Sequence, residues 1–139
     1  MLKPAAESAS WRWLGGAAIV LAAMVAPGCG TLALGQSDED VVRRKAQQRW
    51  DAVIGSNLKS AYDFLSPASR SVVSYEAFDK SYKRGFHKAA RVTEVRCPSR
   101  ELCDVSLEIE YEFSGRRMKT PLYEKWVKQD SDWWYLYQK

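Results

Sequence analysis

Across residues 103–113, apolar and polar positions alternate without a break. Cys103, Val105, Leu107, Ile109, Tyr111 and Phe113 stand against Asp104, Ser106, Glu108, Glu110 and Glu112. A period of two over that length predicts a strand buried on one face, as in an antiparallel sheet. Upstream the period changes. Val42, Ala46, Trp50, Val53 and Ile54 recur at helical spacing. Ser37 is placed to cap that helix, and Asp38, Glu39 and Asp40 suit its positive end. Gly55 is expected to stop it, with Ser56 or Asn57 capping a second helix to about residue 65. Leu58, Ala61, Tyr62 and Leu65 share one face of that helix. Ser66-Pro67 opens a third short helix, and Ser74 a fourth that Gly85 ends. Further strands are predicted over residues 91–97, 119–129 and 133–137, with turns at Ser114-Gly115-Arg116 and Asp130-Ser131-Asp132. Helices followed by a four-strand antiparallel meander give the α+β class, with the helices laid on one face of a curved sheet.

The N-terminal part follows a different logic. Lys3 and Arg12 precede residues 13–37, which carry no charge. The apolar stretch 14–26 has the length of a signal-peptide core and is short for a bilayer span. Ala26-Pro27-Gly28-Cys29 comes next. Small residues before a cysteine resemble a bacterial lipobox, where the cysteine is lipidated and becomes the new N-terminus. Ala26 stands where the lipobox usually has Leu, and Pro27 is atypical. This resemblance implies a signal peptide at 1–28, a tether at 29–37 and a folded domain at 38–139. Acyl chains on Cys29, palmitate among them, would hold the domain at a membrane, since several chains anchor far more firmly than one. Two alternatives stay open: cleavage near Gly35, releasing a secreted domain, or retention of residues 14–34 as a span. All three export the domain. The expected location is the cell envelope, facing the periplasm. Gly30 resembles the residues that permit outer-membrane sorting.

Length bounds the rest. Without residues 1–28, the chain has about 110 residues, enough for one small core and too few for a Rossmann enzyme or an eight-unit barrel. With 46% hydrophobic and 27% charged residues it is globular rather than disordered. A net charge of +4, from 21 basic and 17 acidic residues, favours solubility and weak contact with anionic surfaces. It is not the clustered basic face of a nucleic-acid binder, and Arg43-Arg44-Lys45 reads as a solvated helix face.

Cys97 and Cys103 have five residues between them and flank the first predicted hairpin. In an exported domain that spacing is expected to give a disulfide. Two free thiols or a metal site are the alternatives. The spacing does not suit a zinc knuckle, and His87 is the lone histidine, so neither metal nor cofactor is expected.

The segments Arg49-Trp50-Asp51-Ala52, Ala61-Tyr62-Asp63-Phe64-Leu65-Ser66-Pro67 with Arg70, Pro121-Leu122-Tyr123-Glu124-Lys125-Trp126 and Trp133-Trp134-Tyr135 resemble small exported members of the NTF2-like superfamily, over about residues 38–137. The resemblance implies a cone: a bent sheet closed on one side by helices, often around a pocket. Its members include ketosteroid isomerase, SnoaL-like cyclases, dehydratases and many non-catalytic domains, so the fold leaves function open.

Enzymes of that superfamily set an acid–base group inside the cone. On the strand of clearest phase the acids face away from the apolar side, so no inward carboxylate is expected there. Tyr62 with Asp63, and His87, are the weak catalytic candidates, and Glu124 is a further possible inward acid. Ser66, Ser69 and Ser74 are better explained as caps. Trp126, Trp133, Trp134, Tyr135 and Tyr137 are more aromatic surface than one face of a short end strand can bury. They are therefore the candidates for a pocket lining or an interface. The expectation is a membrane-anchored, non-catalytic domain binding an envelope protein, a second copy of itself or a small apolar ligand. The alternative is an isomerase- or dehydratase-like enzyme acting on a small hydrophobic substrate.

Overall fold

The computed structural model describes residues 35–138. Four helices precede four strands: α1 (Asp38–Ile54), α2 (Leu58–Asp63), α3 (Pro67–Val72), α4 (Tyr75–Ser81), β1 (His87–Ser99), β2 (Leu102–Phe113), β3 (Arg116–Gln129) and β4 (Asp132–Leu136). The strands form one antiparallel sheet in the order β1-β2-β3-β4, so the α+β meander stands. The signal segment, Cys29 and all of the tether before residue 35 lie outside the described residues.

Each helix begins where a side chain satisfies its free N–H groups. Ser37 Oγ accepts from Asp40 N–H, Asn57 from Ser60, Ser66 from Ser69 and Ser74 from Ala77. Gly55 closes α1, but at φ −71° it is not the left-handed residue. Ser56, at φ +59°, takes that conformation.

β1 begins four residues earlier than its periodicity implies. Its pairing with β2 shifts register between His87 and Ala89, between Val92 and Glu94, and between Arg96 and Ser99. Each irregularity resets the alternation, so a period-two reading finds only the middle of the strand. β3 likewise extends back to Arg116, right after the two-residue turn Ser114-Gly115, and β4 begins at Asp132. Pro121 is tolerated in β3 because β4 pairs only with residues 125–129, leaving that stretch of β3 as an edge. The outer edge of β4 is itself covered: Ser66 N–H donates to Tyr135 O and Tyr135 N–H to Phe64 O.

α1 lies on the inward side of the sheet, mostly against β1. The core it closes joins Val42, Ala46, Trp50 and Val53 to Val105, Leu107 and Ile109, with Trp126, Trp133 and Tyr135 from the last two strands. The start of α1 is fastened to the far end of the chain. Asp38 accepts from Trp133 Nε1 at 2.9 Å and Lys128 Nζ at 3.0 Å, and Lys45 Nζ donates to Asp132 at 2.5 Å.

Candidate functional site

The inward side of the sheet carries one charged pair. Arg49 comes from α1, in the same stripe as Val42, Ala46 and Val53, and is 0% exposed. Glu124 comes from β3, in phase with the buried Trp126, and is 2% exposed. Arg49 Nη2 donates to Glu124 Oε1, which also accepts from Trp50 Nε1 at 2.7 Å. Trp126 Nε1 donates to Oε2 at 3.1 Å. Both carboxylate oxygens are thereby occupied by donors. The other guanidinium nitrogen, Nη1, donates to Tyr82 Oη at 3.2 Å. The guanidinium carbon lies 4.0 Å from the Tyr135 ring centroid and 5.1 Å from that of Trp50. Nε is the one buried side-chain polar atom without a partner among the described residues.

The electrostatics follow from this packing. Burial alone would pull the Arg49 pKa down, but Glu124 and Tyr82 raise it above its ordinary value, so the guanidinium stays charged. Burial pushes the Tyr135 phenol up to about 12, against the opposing pull of Arg49, so it is no base at neutral pH. His87, half-buried at the start of β1, is packed edge-on to Trp50 with ring centroids 5.3 Å apart and lies 6.0 Å from the Tyr82 ring. Burial lowers its pKa, which keeps the imidazole neutral.

Tyr62 and Asp63 do not form the inner pair that their adjacency implied. Tyr62 Oη donates to Val73 O at 2.8 Å, with its ring against Tyr75 and Phe78. Asp63 is exposed and paired with Lys59 one helical turn away, at 2.6 Å. Consecutive helix residues point about 100° apart, so one turned to the core and its neighbour to water.

The aromatic candidates for a pocket lining or an interface divide between the core and its margin. Trp126, Trp133 and Tyr135 are buried core residues, and Trp134 and Tyr137 are half-buried. Trp134 donates from Nε1 to Gln129 O and has Lys45 and Arg70 over its ring at 5.4 and 5.5 Å. β4 is covered along its edge by residues 64–66 as well as on its inward face, so both sides of the strand find cover for aromatic rings. Cys97 and Cys103 are joined as a disulfide at the β1–β2 turn, the pairing expected from their spacing.

Arg49 is the residue that sequence reasoning missed. The signal was present: positions 42, 46, 49, 50 and 53 make one helical stripe, and a charge in its middle is buried or breaks the helix's packing. Among the described residues, no cluster of three or more His, Cys, Asp or Glu could hold a metal. A surface groove of about 550 Å³ lies between α1 and β1 beside Arg43, Arg44 and Val92. A smaller one touches Glu124, whose side chain is 1% exposed, so only its backbone can line that groove. Chemically, the cluster can hold a charge pair and exclude water. It offers no open face to a substrate.

No protein-family model matches the chain, and no curated protein sequence matches it. Solved structures do resemble it. A SEC-C motif-containing protein from Psychrobacter arcticus superposes with a TM-score of 0.59 at 15% identity, over 70% of this chain and 59% of that one. A SEC-C motif-containing protein from Rhodopseudomonas palustris gives 0.57 at 11% identity, over 67% and 73%. The chain thus spans about three fifths of the first of these neighbours. At such identities the likeness is one of fold. A Campylobacter jejuni protein described as an NTF2-like transpeptidase gives a TM-score of 0.43 at 13% identity, over 67% and 94%, a superposition too loose to define a shared fold.

Proposed function

We propose that the chain is a non-catalytic NTF2-like module, held at an envelope membrane through Cys29, whose task is to bind another envelope protein. The observation that carries the non-catalytic reading is the Glu124 carboxylate, both of whose oxygens are taken by donors. An enzyme built on such a cone needs an acid or base with a free lone pair or proton facing a substrate. Among the described residues the one buried carboxylate, Glu124, is spent on Arg49, Trp50 and Trp126. The tight packing of Trp126, Trp133 and Tyr135 supports a protein partner over a small apolar ligand, because these rings line the core and not a vacant chamber. Membrane attachment is supported by the lipobox-like segment 26–29 and the uncharged stretch before it. The NTF2-like assignment is supported by the order of helices before an antiparallel meander, together with the sequence segments that resemble that superfamily.

Native mass spectrometry of protein extracted gently from its own membranes tests this reading. The expected species lacks residues 1–28, carries acyl chains on Cys29 and retains a second protein. An unlipidated chain cut near Gly35 overturns the anchor. A bound small molecule that the chain converts overturns the non-catalytic role, and His87, half-buried beside Tyr82, would then be the first residue to substitute.

A further inference from the structure

The inward row of the sheet continues past the end of its helical cover. Along β2 burial alternates from Cys103 to Ile109; then Tyr111 is half-buried and Phe113 is 61% exposed. Cross-strand pairing sets Met118 opposite Tyr111 and Arg116 opposite Phe113, so these four side chains share one row. Met118 is 44% exposed. Phe86 stacks on Tyr111 at 5.1 Å and extends the patch onto the α4–β1 connection. Ser114 and Gly115, at φ 50° and 73°, give the two-residue turn whose twist matches a hairpin, so the tip is a defined projection.

The charges beside these apolar groups that carry no ion pair are positive. Arg116 and Arg117 follow the turn, and Lys83 lies in the connection whose carbonyl accepts from Phe86 N–H. The nearby acids are already engaged: Glu112 with Lys88 at 3.7 Å and Glu110 with Lys119 at 3.0 Å. Arg116, Arg117 and Lys83 have no ion-pair partner among the described residues. The best-formed grooves among the described residues are lined by other residues, and the exposed Phe113 and Met118 project from the sheet.

We propose that the β2–β3 hairpin tip docks on an anionic phospholipid surface, with Phe113 and Met118 entering the headgroup layer and Arg116, Arg117 and Lys83 meeting its phosphates. Protein interfaces take up aromatic residues, Met and Arg but are depleted of Lys. A bilayer surface accepts aromatic and aliphatic side chains flanked by arginine and lysine, and it deforms to fit them. The tip has the second composition. It lies at the opposite end of β2 from the turn that faces the start of α1, where Glu101 O accepts from Lys128 N–H and Lys128 Nζ holds Asp38.

The test uses the full chain reconstituted in vesicles with brominated acyl chains, comparing F113W with the parent. Phosphatidylcholine vesicles with and without phosphatidylglycerol supply the two surfaces. The added indole is expected to shift to the blue and be quenched when phosphatidylglycerol is present. Both effects are expected to fall at least fivefold when R116E and R117E are added. Near-UV circular dichroism matching the parent certifies the fold of each variant. An added indole that stays water-exposed and unquenched on both surfaces overturns the proposal. So does quenching that is equal on both surfaces and indifferent to R116E and R117E. A photocrosslinker at position 113 that captures a protein and no lipid in intact cells overturns it too, by giving the patch a protein occupant.

Discussion

At one end of the sheet's inward side, a charged pair, Arg49 and Glu124, lies sealed among Trp50, Trp126 and Tyr135. At the other end, two large apolar side chains, Phe113 and Met118, stand in water beside Arg116 and Arg117. Each region reverses what its surroundings favour. The buried pair has lost the hydration of two ions, several kcal/mol for each, and recovers it only through close geometry, the two indole donors to Glu124 and the Tyr82 phenol oxygen that accepts from Arg49. The exposed pair gives up burial worth about 1.5–3 kcal/mol per side chain. The first exception is tied to the fold through both carboxylate oxygens and both terminal guanidinium nitrogens, and removing part of it leaves an uncompensated charge. The second is bound to nothing in the fold, so its removal leaves the core as it was. The two regions separate what holds this chain together from what it presents outward.

The largest effect expected on breaking that comparison is at the buried end. Glu124→Ala leaves the guanidinium without its counter-charge and two indole N–H groups without an acceptor, and is expected to cost about 3–5 kcal/mol. Urea unfolding followed by tryptophan fluorescence measures it. The double variant Arg49→Met with Glu124→Leu removes both charges and keeps the volume. It is expected to recover most of that loss. If the single and double variants are equally unstable, packing rather than charge is what the site contributes.

The disulfide comes next. Cys97 and Cys103 are six positions apart, and closing so short a loop is worth about 2 kcal/mol in the chain-entropy model. Cys97→Ser with Cys103→Ser, or reduction of the parent, should lower the unfolding free energy read from urea titration by about that amount.

The response to pH sharpens the contrast further. Trp133 and Lys128 hold the Asp38 carboxyl below its ordinary value of 3.8. Its contribution is therefore present above that value and lost as pH falls through the lower folded one. Burial holds His87 below its ordinary 6.5. The unfolded chain then takes up the proton first, and stability declines as pH falls from about 6.5. Thermal unfolding at stepped pH should show the two declines separately. His87→Gln should flatten the upper one and Asp38→Asn the lower one.

Much of this architecture was legible in the chain, and the gaps have physical causes. The stripe of α1, the four serine and asparagine caps and the alternation of β2 rest on local rules, so they could be read directly. β1 could not be delimited, because its bulges erase a period-two signal. Glu124 was readable as inward from its phase with Trp126. Its partner was not, since Arg49 lies 75 positions away and only tertiary packing brings them together. The aromatic end of the chain was misjudged because strand phase gives direction and not cover: nothing local to β4 shows that residues 64–66 pair with its edge. The hairpin tip is the converse case. Its alternation continues unchanged through Phe113, and only the lengths of the helices decide where the inward side becomes outward.

The smallest expected effect on stability belongs to that tip. Phe113→Ser and Met118→Ser replace exposed side chains, so together they should move the unfolding free energy by about 0.5 kcal/mol or less. The positive-φ turn at Ser114 and Gly115 is left alone, and with it the register of β2 on β3. A larger loss would mean that Phe113 and Met118 already pack on Phe86 and Tyr111 well enough to belong to the core, and the two ends of the sheet would then differ in degree only. An unchanged urea midpoint with weakened retention on anionic vesicles would instead show stability and surface attachment residing in different halves of the same pair of strands. In that event the tip residues could be exchanged for others of the same charge and hydrophobicity with the fold indifferent, whereas Arg49 and Glu124 could be exchanged only together.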